Sequence, residues 1–280
     1  MTYLKTEKTL QAIKDRQKEW ARLKGKQFNE IGSESRMAEL KDNLFEELSP
    51  VTYQEFARGD GKELTGNMRV VWSSSALVAN VFDYWRKYGG VEDLADILGV
   101  PFKAVNMRFE DKCPIHSFKR PPNLDVVFES TDGKRALAIE SKFTEPYRTQ
   151  GSGLGKYLEK PGIWQGFNKL RQLAESIVEF ENNPMQYQYL DVPQLIKHIL
   201  GLACKYTSGF TLLYLWYDYP TREAREHAKE IRRFRESLGG EVKFRTMTYQ
   251  TLFRKISGLA ETNDDIIFRD YAGYLSKRYF

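Results

Sequence analysis

Two acidic residues and one lysine lie where two predicted strands come together. Asp125 follows "PPNL" at the start of a β-rich segment, and Glu140 and Lys142 end the apolar run "ALAIESK". Side chains alternate along a strand, so residues 140 and 142 share one face. The turn signal Asp132-Gly133 predicts a hairpin in which paired residue numbers sum to about 265. Asp125 is therefore predicted to lie opposite Glu140.

This arrangement is suited to phosphodiester chemistry. Two close carboxylates repel each other unless a proton or a cation lies between them. Carboxylate oxygens suit Mg²⁺ or Mn²⁺, and the carbonyl of Ser141 is a candidate further ligand. A cation held there polarises a phosphoryl oxygen and acidifies a bound water, while Lys142 orients that water and offsets charge. We therefore predict Asp125, Glu140 and Lys142 as catalytic residues. An ordinary ion pair on the sheet surface is the alternative.

"PPNLD", followed by "ESK" at residues 140–142, resembles the PD-(D/E)xK motif of the restriction-endonuclease-like nuclease superfamily. The resemblance implies an α/β core in which a helix precedes a three-stranded antiparallel meander, followed by a helix and a further strand. The predicted elements from Ser73 to Trp216 follow that order. The resemblance also implies that Asp125 and Glu140 bind the metal, and that Lys142 is the water-positioning base or a charge stabiliser.

Three further residues are predicted to support the site. Many superfamily members carry an acid on the helix before the meander. Here the helix in "SSSALVANVFDYWRKYGG" offers Asn80, beside its apolar stripe, or Asp83, and Glu55 is an alternative outside that helix. "QLIKH" puts Gln194 and His198 at i and i+4. That pair is similar to the Gln-x-x-x-Tyr element of some superfamily nucleases, and a solvent-facing pair is the alternative.

The order of elements predicts the fold class. Helical patterns at 4–27, 35–48 and 50–57 precede the serine-capped helix, and three strands follow from about residue 102. Helices at 161–181 and from Val192 to about Lys205 then precede a strand at 210–219, a charged helix, a further strand and closing helices. We predict an N-terminal helical extension (1–70) and an α/β nuclease-like domain (71–280) with a mixed central sheet flanked by helices.

Composition limits the class of protein. A chain of 280 residues with 41% hydrophobic residues folds without help from disulfides. No apolar run approaches the roughly 20 residues of a membrane span. The first residues lack a secretory signal, which predicts a soluble, cytoplasmic protein. The glycine-rich "GSGLGKY" fails the phosphate-binding loop pattern at Gln150 and Tyr157, so we predict a flexible loop and no nucleotide cofactor.

A basic rim around the carboxylates predicts contacts with a nucleic-acid backbone. The net charge of +5 is consistent with a polyanionic partner. The basic N-terminal helix is either a solvated or protomer-clasping element or an arm that contacts nucleic acid. The predicted nucleic-acid contacts are Lys119, Arg120, Tyr147, Arg148 and Lys156, each with a solvated surface residue as the alternative.

The leading hypothesis is a metal-dependent endonuclease that acts on double-stranded DNA, of restriction or repair type. Cutting both strands requires two sites, so a homodimer is expected. One alternative keeps the fold as a non-catalytic DNA- or protein-binding module with a degenerate site. Another is a nuclease of the same fold that acts on RNA or on DNA ends.

Overall fold

The computed structural model describes residues 8–59, 63–116, 118–148, 153–179 and 187–280. The helices are α1 Thr9–Leu23, α2 Pro50–Arg58, α3 Ser74–Lys87, α4 Val91–Leu98, α5 Gly155–Leu158, α6 Asn168–Glu179, α7 Val192–Tyr206, α8 Arg222–Ser237, α9 Tyr249–Glu261 and α10 Ile266–Tyr279. The strands are β1 Phe28–Ile31, β2 Glu34–Met37, β3 Ala104–Lys112, β4 Asn123–Ser130, β5 Ala136–Lys142, β6 Phe210–Trp216 and β7 Phe244–Thr248. Within the part of the chain that is described, no helix is long and apolar enough to span a membrane.

A five-stranded mixed sheet of order β3-β4-β5-β6-β7 lies at the centre of the fold. Strands β3, β4 and β5 form an antiparallel meander, and β5, β6 and β7 run parallel to one another. Every side chain of β5 and β6 is buried, as expected for strands that are covered on both faces. The predicted α/β class with a mixed sheet flanked by helices is confirmed, and the element order agrees with a restriction-endonuclease-like core.

Helices cover the two faces of the sheet as separate layers. One apolar cluster joins Leu213 and Leu215 of β6 to α3, α9, α10 and the N-terminal elements. The other joins Leu212 and Tyr214 of the same strand to α6, α7 and α8. Successive side chains of a strand point to opposite faces, so alternate residues of β6 pack into one layer and the residues between them pack into the other. Residues 140 and 142 pair with residues 214 and 216, so they point into the α7/α8 layer.

The β4–β5 hairpin has the predicted register. Val126 pairs with Ile139 and Val127 with Ala138, and both pairs sum to 265. The turn uses Gly133, whose φ of +66° lies in the left-handed region that glycine adopts without steric cost. One step beyond the last ladder pair, the same register places Asp125 level with Glu140.

Two predicted helices are wrong in extent. Within 35–48 the chain forms β2, which pairs with β1 in a hairpin, and then a 3₁₀ turn at Leu40–Asn43. The hairpin turns at Gly32, where φ is +60°. Within 161–181 the helix begins only at Asn168, because Gly166 has a φ of +82° and interrupts the pattern. Residues 151 and 152 of the predicted glycine-rich loop lie outside the described ranges, and Gly155–Leu158 form α5.

The N-terminal segment packs into the same apolar cluster as α3 and α10. Ile13, Trp20 and Phe56 are all buried there. The segment contains a β-hairpin as well as helices, and the boundary predicted at residue 70 stays a prediction.

Buried Arg278 of α10 connects this segment to the C-terminus. Its guanidinium donates to the Asn43 carbonyl (2.8 Å), the Val71 carbonyl (3.1 Å) and the Gln17 side chain (3.2 Å), and it lies 4.2 Å from the centre of the Trp20 ring. Five rigid donors in one plane suit this set of acceptors from distant parts of the chain. Arg278 is therefore a main polar contact between the first and last elements of the fold.

We expect Arg278→Ala to lower the free energy of unfolding by about 3 kcal/mol or more, because each buried acceptor left unsatisfied costs about 1–3 kcal/mol. Urea unfolding followed by circular dichroism measures the change. Lys277→Ala is the matched control, since Lys277 is the exposed neighbour on the same helix, and we expect a change within about 0.5 kcal/mol. Equal effects of the two substitutions would contradict the role given to Arg278.

Candidate active site

Glu140 is the centre of a buried polar cluster at the carboxyl end of β5. Its side chain is only 2% exposed. The Lys142 Nζ lies 2.6 Å from Glu140 Oε1, and the His198 Nε2 lies 3.0 Å from Glu140 Oε2. A carboxylate in this position is costly unless cations or donors compensate it. The structure thus brings together three residues that the sequence predicted for the site.

Helix α7 supplies two of the residues around Glu140. The helix begins after Asp191, whose side chain accepts from the Gln194 N–H at 2.8 Å. Gln194 then accepts a hydrogen bond from Lys142 Nζ at 2.7 Å. Residues at i and i+4 lie on one face of a helix, so His198 reaches the sheet beside Gln194. His198 is only 2% exposed, which excludes the alternative of a solvent-facing pair.

A glycine sets how closely α7 approaches the sheet. A Cβ atom at Gly201 would lie 2.6 Å from the Cys113 carbonyl oxygen and 2.6 Å from Pro122 Cγ. Both distances are shorter than real contacts allow. Only glycine therefore lets α7 pack at this distance from the segment that leads into β4.

Asp125 lies on the neighbouring strand, where it contacts the backbone of β5. Its Oδ2 accepts a hydrogen bond from the Ser141 N–H at 2.6 Å. The N–H and C=O of one strand residue point to the same side. The Ser141 carbonyl, the predicted third ligand, therefore also points towards β4 and Asp125. The Ser141 hydroxyl points elsewhere and lies 2.6 Å from the Tyr249 hydroxyl.

The two carboxyls have opposite electrostatic environments. Burial, followed by the charge of Glu140, raises the pKa of Asp125 well above its usual value. Burial also works against ionisation of Glu140, but Lys142 and then His198 outweigh it and hold the pKa of Glu140 at about 2. Glu140 is therefore ionised at neutral pH, whereas burial and the charge of Glu140 disfavour ionisation of Asp125.

Lys142 remains protonated in this site. Burial acts against its ammonium, but the carboxylates of Glu140, Glu145 and Asp125 outweigh burial and raise the pKa of Lys142. Glu140 and Gln194 engage two of the three donors that an ammonium carries. A lysine in this state acts as a cation and a hydrogen-bond donor rather than as a general base.

The oxygen atoms at this site suit a metal ion that binds few protein ligands. In the described ranges, no group of three or more His, Cys, Asp or Glu side chains is arranged to hold a metal ion. Asp125, Glu140 and the Ser141 carbonyl instead form a small oxygen set of the kind that Mg²⁺ and Mn²⁺ complete with water. They do not form the four-ligand nitrogen and sulfur set of structural zinc.

Glu140 Oε2 also has unused capacity to bind a cation. This atom is buried and has no well-directed hydrogen bond within the described residues. The nearby His198 Nε2 also lacks one. The 3.0 Å approach of these two atoms is therefore a close electrostatic contact rather than an aligned hydrogen bond.

The predicted supporting residue Asn80 on α3 forms its hydrogen bonds away from the carboxylate cluster. Asn80 accepts from the Phe45 N–H at 2.6 Å and donates to the Asn43 carbonyl at 3.0 Å and to the Tyr279 hydroxyl at 2.9 Å. This amide connects backbone segments, and none of these hydrogen bonds reaches the carboxylates.

The two alternatives to Asn80 also have structural partners. Asp83 accepts from the Ser49 and Thr52 side chains. Glu55 forms an ion pair with Arg86 at 2.6 Å. Neither contact involves Asp125 or Glu140.

A different acid, Glu110 of β3, lies level with Asp125. β3 and β4 pair Phe109 with Val126 and Asp111 with Leu124, so Glu110 is opposite Asp125. Glu110, Asp125 and Glu140 are therefore neighbours across three strands. Glu110 has a φ of +52°, unusual for a residue other than glycine, and its carboxylate accepts from the Asn123 side chain.

The sequence did not reveal Glu110. The pairing sum of the β4–β5 hairpin follows from a tight turn that joins the two strands directly, whereas β3 and β4 are joined by the longer segment 113–122. The alternating pattern of "FKAVNMRFE" shows a strand but does not fix its register against β4.

Several of the predicted basic residues lie beside a pair of stacked aromatic rings. Phe118 stacks on Tyr157 with the ring centres 4.0 Å apart, and Lys156 Nζ lies 5.7 Å from the centre of the Phe118 ring. Lys119 and Arg120, which follow Phe118 directly, are exposed. The stack thus places Lys119 and Arg120, which precede the motif in sequence, on one surface with Lys156, which follows it.

Lys197 extends this surface and was missed. It lies on α7, three residues after Gln194, and its Nζ is 5.8 Å from the centre of the Tyr157 ring. Burial lowers the pKa of Lys197, with Asp191 opposing and the neighbouring Lys156 adding to the effect. The signal was available in "QLIKH", where Lys197 is one turn from Gln194 on the predicted helix.

Tyr147 and Arg148 are placed differently from each other. The Tyr147 hydroxyl is buried and has no hydrogen-bond partner among the described residues, and its ring packs edge-on against His227. In this position the Tyr147 hydroxyl does not reach a nucleic-acid backbone at the protein surface. Arg148 is exposed, and it lies near Lys14 of the basic helix α1, where burial and then Arg148 lower the pKa of Lys14.

Comparison with known proteins supports the nuclease interpretation of this geometry. A family model described as "Restriction Endonuclease associating with ARP" matches residues 9–280. No curated protein and no solved structure matches the chain. Since the family model covers nearly all of the sequence, the chain belongs to this restriction endonuclease family.

Proposed function

We propose that the protein is a metal-dependent endonuclease of restriction or repair type that hydrolyses phosphodiester bonds of double-stranded DNA. The observation that carries the proposal is the β4–β5 register, which puts Asp125 level with Glu140, together with the Lys142 ammonium 2.6 Å from Glu140. Membership of a restriction endonuclease family supports a nuclease. The finer assignments follow from the chemistry of this site.

Asp125, Glu140 and the Ser141 carbonyl would hold Mg²⁺ or Mn²⁺. A bound ion of this kind polarises a phosphoryl oxygen and acidifies a water. The raised pKa of Asp125 supports the assignment, because an uncompensated carboxylate beside a second carboxylate gains most from a cation.

Lys142 stabilises negative charge that develops on the phosphate. It stays protonated, so it acts as a donor to a phosphoryl oxygen or to the attacking water. Gln194 fixes the direction of its ammonium through the 2.7 Å hydrogen bond. His198 holds the Glu140 carboxylate in place from the other side.

DNA would contact the surface formed by Lys119, Arg120, Lys156 and Lys197, and Arg148, near Lys14 of α1, is a further candidate contact. A homodimer would supply the two sites that cleavage of both strands requires. The family description also names association with ARP, and we include such a protein partner in the proposal.

We expect purified protein to nick or linearise plasmid DNA with Mg²⁺ or Mn²⁺, and to lose this activity with EDTA. Lys142→Ala should lower the cleavage rate by about 100-fold or more, as loss of a single charge-stabilising donor does in other enzymes. Lys229→Ala on the surface of α8 is the control and should cleave normally. If the purified protein binds DNA but does not cleave it with either metal, the non-catalytic alternative is favoured. A cleavage rate of Lys142→Ala equal to that of the control would contradict the role of Lys142.

Asp125→Asn tests the metal site without relying on cleavage. Mg²⁺ at about 100 times its dissociation constant should stabilise the wild-type protein by about 2.7 kcal/mol, and the variant should lose this gain. Because the pKa of Asp125 is raised, its charge destabilises the metal-free fold at neutral pH, so the metal-free variant should be at least as stable as wild type. Thermal unfolding with and without Mg²⁺ measures both effects. An unchanged Mg²⁺ effect in the variant would show that Asp125 does not bind the ion.

The aromatic-basic surface predicts a salt-dependent loss of DNA affinity. Lys156→Ala should weaken binding to a DNA duplex and reduce the slope of log K against log salt by about 1, as loss of one phosphate contact does. Fluorescence anisotropy at several salt concentrations, in EDTA to prevent cleavage, gives the slope. Lys229→Ala serves again as control, and the same slope in both variants would place Lys156 outside the DNA contact.

A further inference from the structure

A groove of about 420 Å³ runs along the outer edge of β7, away from the carboxylate cluster. Helix α8 borders the groove on one side and α9 on the other. We call it the β7 groove and define it by six of its lining residues: Trp216, Arg232, Arg235, Thr246, Thr248 and Lys255. The proposed nuclease function assigns it no role.

The floor of the groove is an unpaired strand edge. β7 is the last strand of the sheet, and its outer side pairs with no strand of the described chain. The Leu212 N–H donates to the Lys243 carbonyl at 2.9 Å, so residue 243 points its backbone towards β6. Backbone direction alternates along a strand, so Phe244 and Thr246 both direct their backbone groups outwards. The Phe244 N–H already donates to the Val242 carbonyl at 2.9 Å, which leaves the Thr246 N–H as the outward donor of this pair. The edge thus offers both donors and acceptors.

The rim of the groove is positively charged. Arg232 and Arg235 are exposed, and neither forms an ion pair with a carboxylate in the described ranges. Lys255 of α9 lines the other side, and its ammonium donates to the Ile97 carbonyl of α4 at 2.7 Å. No acidic side chain lines the groove. Three cations without a lining anion favour an acidic occupant.

The strand edge distinguishes between possible occupants. A nucleic-acid backbone presents phosphate oxygens, which accept hydrogen bonds but cannot satisfy the outward carbonyls of β7. A second copy of this chain, joined edge to edge, would bring two sets of three cations together. A peptide strand satisfies both the N–H and the C=O groups, and acidic side chains on it would meet the rim.

We propose that the β7 groove binds an extended acidic segment of a partner protein, which adds to the sheet as a sixth strand. The apolar side chains that the groove exposes beside the strand, among them Ala228 and Met247, accept alternate side chains of that segment. In the sheet register, Lys142 pairs with Trp216 and Trp216 with Thr248, so the edge of β7 that would pair with the segment lies two strands from β5, about 10 Å away, with Trp216 on the strand between. Partner binding and DNA cleavage therefore use separate surfaces, and this proposal does not depend on nuclease activity.

The test measures binding of a fluorescent eight-residue peptide of alternating glutamate and valine, without DNA or metal. A peptide of alternating lysine and valine is the comparison. We expect the acidic peptide to bind at least tenfold more tightly than the basic one. The double variant Arg232→Ala/Arg235→Ala should weaken binding of the acidic peptide at least tenfold. Arg222→Ala/Lys229→Ala removes the same charge from α8 outside the groove, and it should bind as wild type does.

Thr246→Pro tests strand addition separately from charge. Proline removes the outward N–H of Thr246 but no hydrogen bond to β6, and edge strands tolerate it in this orientation. We expect thermal unfolding close to wild type and at least a tenfold loss of peptide affinity.

Three results would overturn the proposal. The first is equal binding of the two peptides. The second is a folded Thr246→Pro variant with unchanged affinity. The third is a DNA duplex that binds more weakly to the Arg232→Ala/Arg235→Ala variant while the acidic peptide fails to bind the wild-type protein, which would identify the groove as a nucleic-acid surface. None of these results bears on plasmid cleavage, so failure here is distinguishable from failure of the nuclease proposal.

Discussion

The structure around the site depends on keeping one carboxylate charged inside the protein. Glu140 is 2% exposed, and an uncompensated charge at such a position costs several kcal/mol. Lys142 compensates it from the same strand, and α7 must approach closely enough for His198 to contact the second oxygen. Gln194 then occupies a further donor of Lys142. The end of β5 and the first turns of α7 therefore meet around a single buried charge.

Asp125 is the second carboxyl group of the site, and its environment shifts its pKa in the opposite direction to that of Glu140. It accepts the Ser141 N–H, but no cationic side chain forms an ion pair with it in the described part of the chain. Glu140 thus has its charge compensated by neighbouring side chains, whereas Asp125 has only the Ser141 N–H as a hydrogen-bond partner among the described residues. In a pair of this kind the environment lowers the pKa of one carboxyl group and raises that of the other. Acidic residues in a shared site take different chemical roles in this way.

The sequence predicted the parts of the site that depend on local geometry. A tight turn sets the β4–β5 register, and helical periodicity puts Gln194 beside His198, so both relations can be read from residue spacing. Glu110 could not be placed, because no short turn links β3 to β4. The position of Asn80 could not be foreseen either, since its partners come from residues 43–45 and Tyr279, far apart in the sequence. The N-terminal hairpin was missed because short strands and short helices give similar apolar patterns.

Gly201 has a consequence for both halves of the site. The atoms that a side chain at this position would meet belong to Cys113 and Pro122, the first and last residues of the segment joining β3 to β4. That segment leads to Asp125, and α7 carries His198 less than one turn before the glycine. The spacing between α7 and this segment therefore leaves room at residue 201 for the hydrogen atom of glycine but not for a methyl group. A methyl group at residue 201 would change the spacing of the site without altering any polar group, so the chemistry of the cluster depends on a residue that has no side chain.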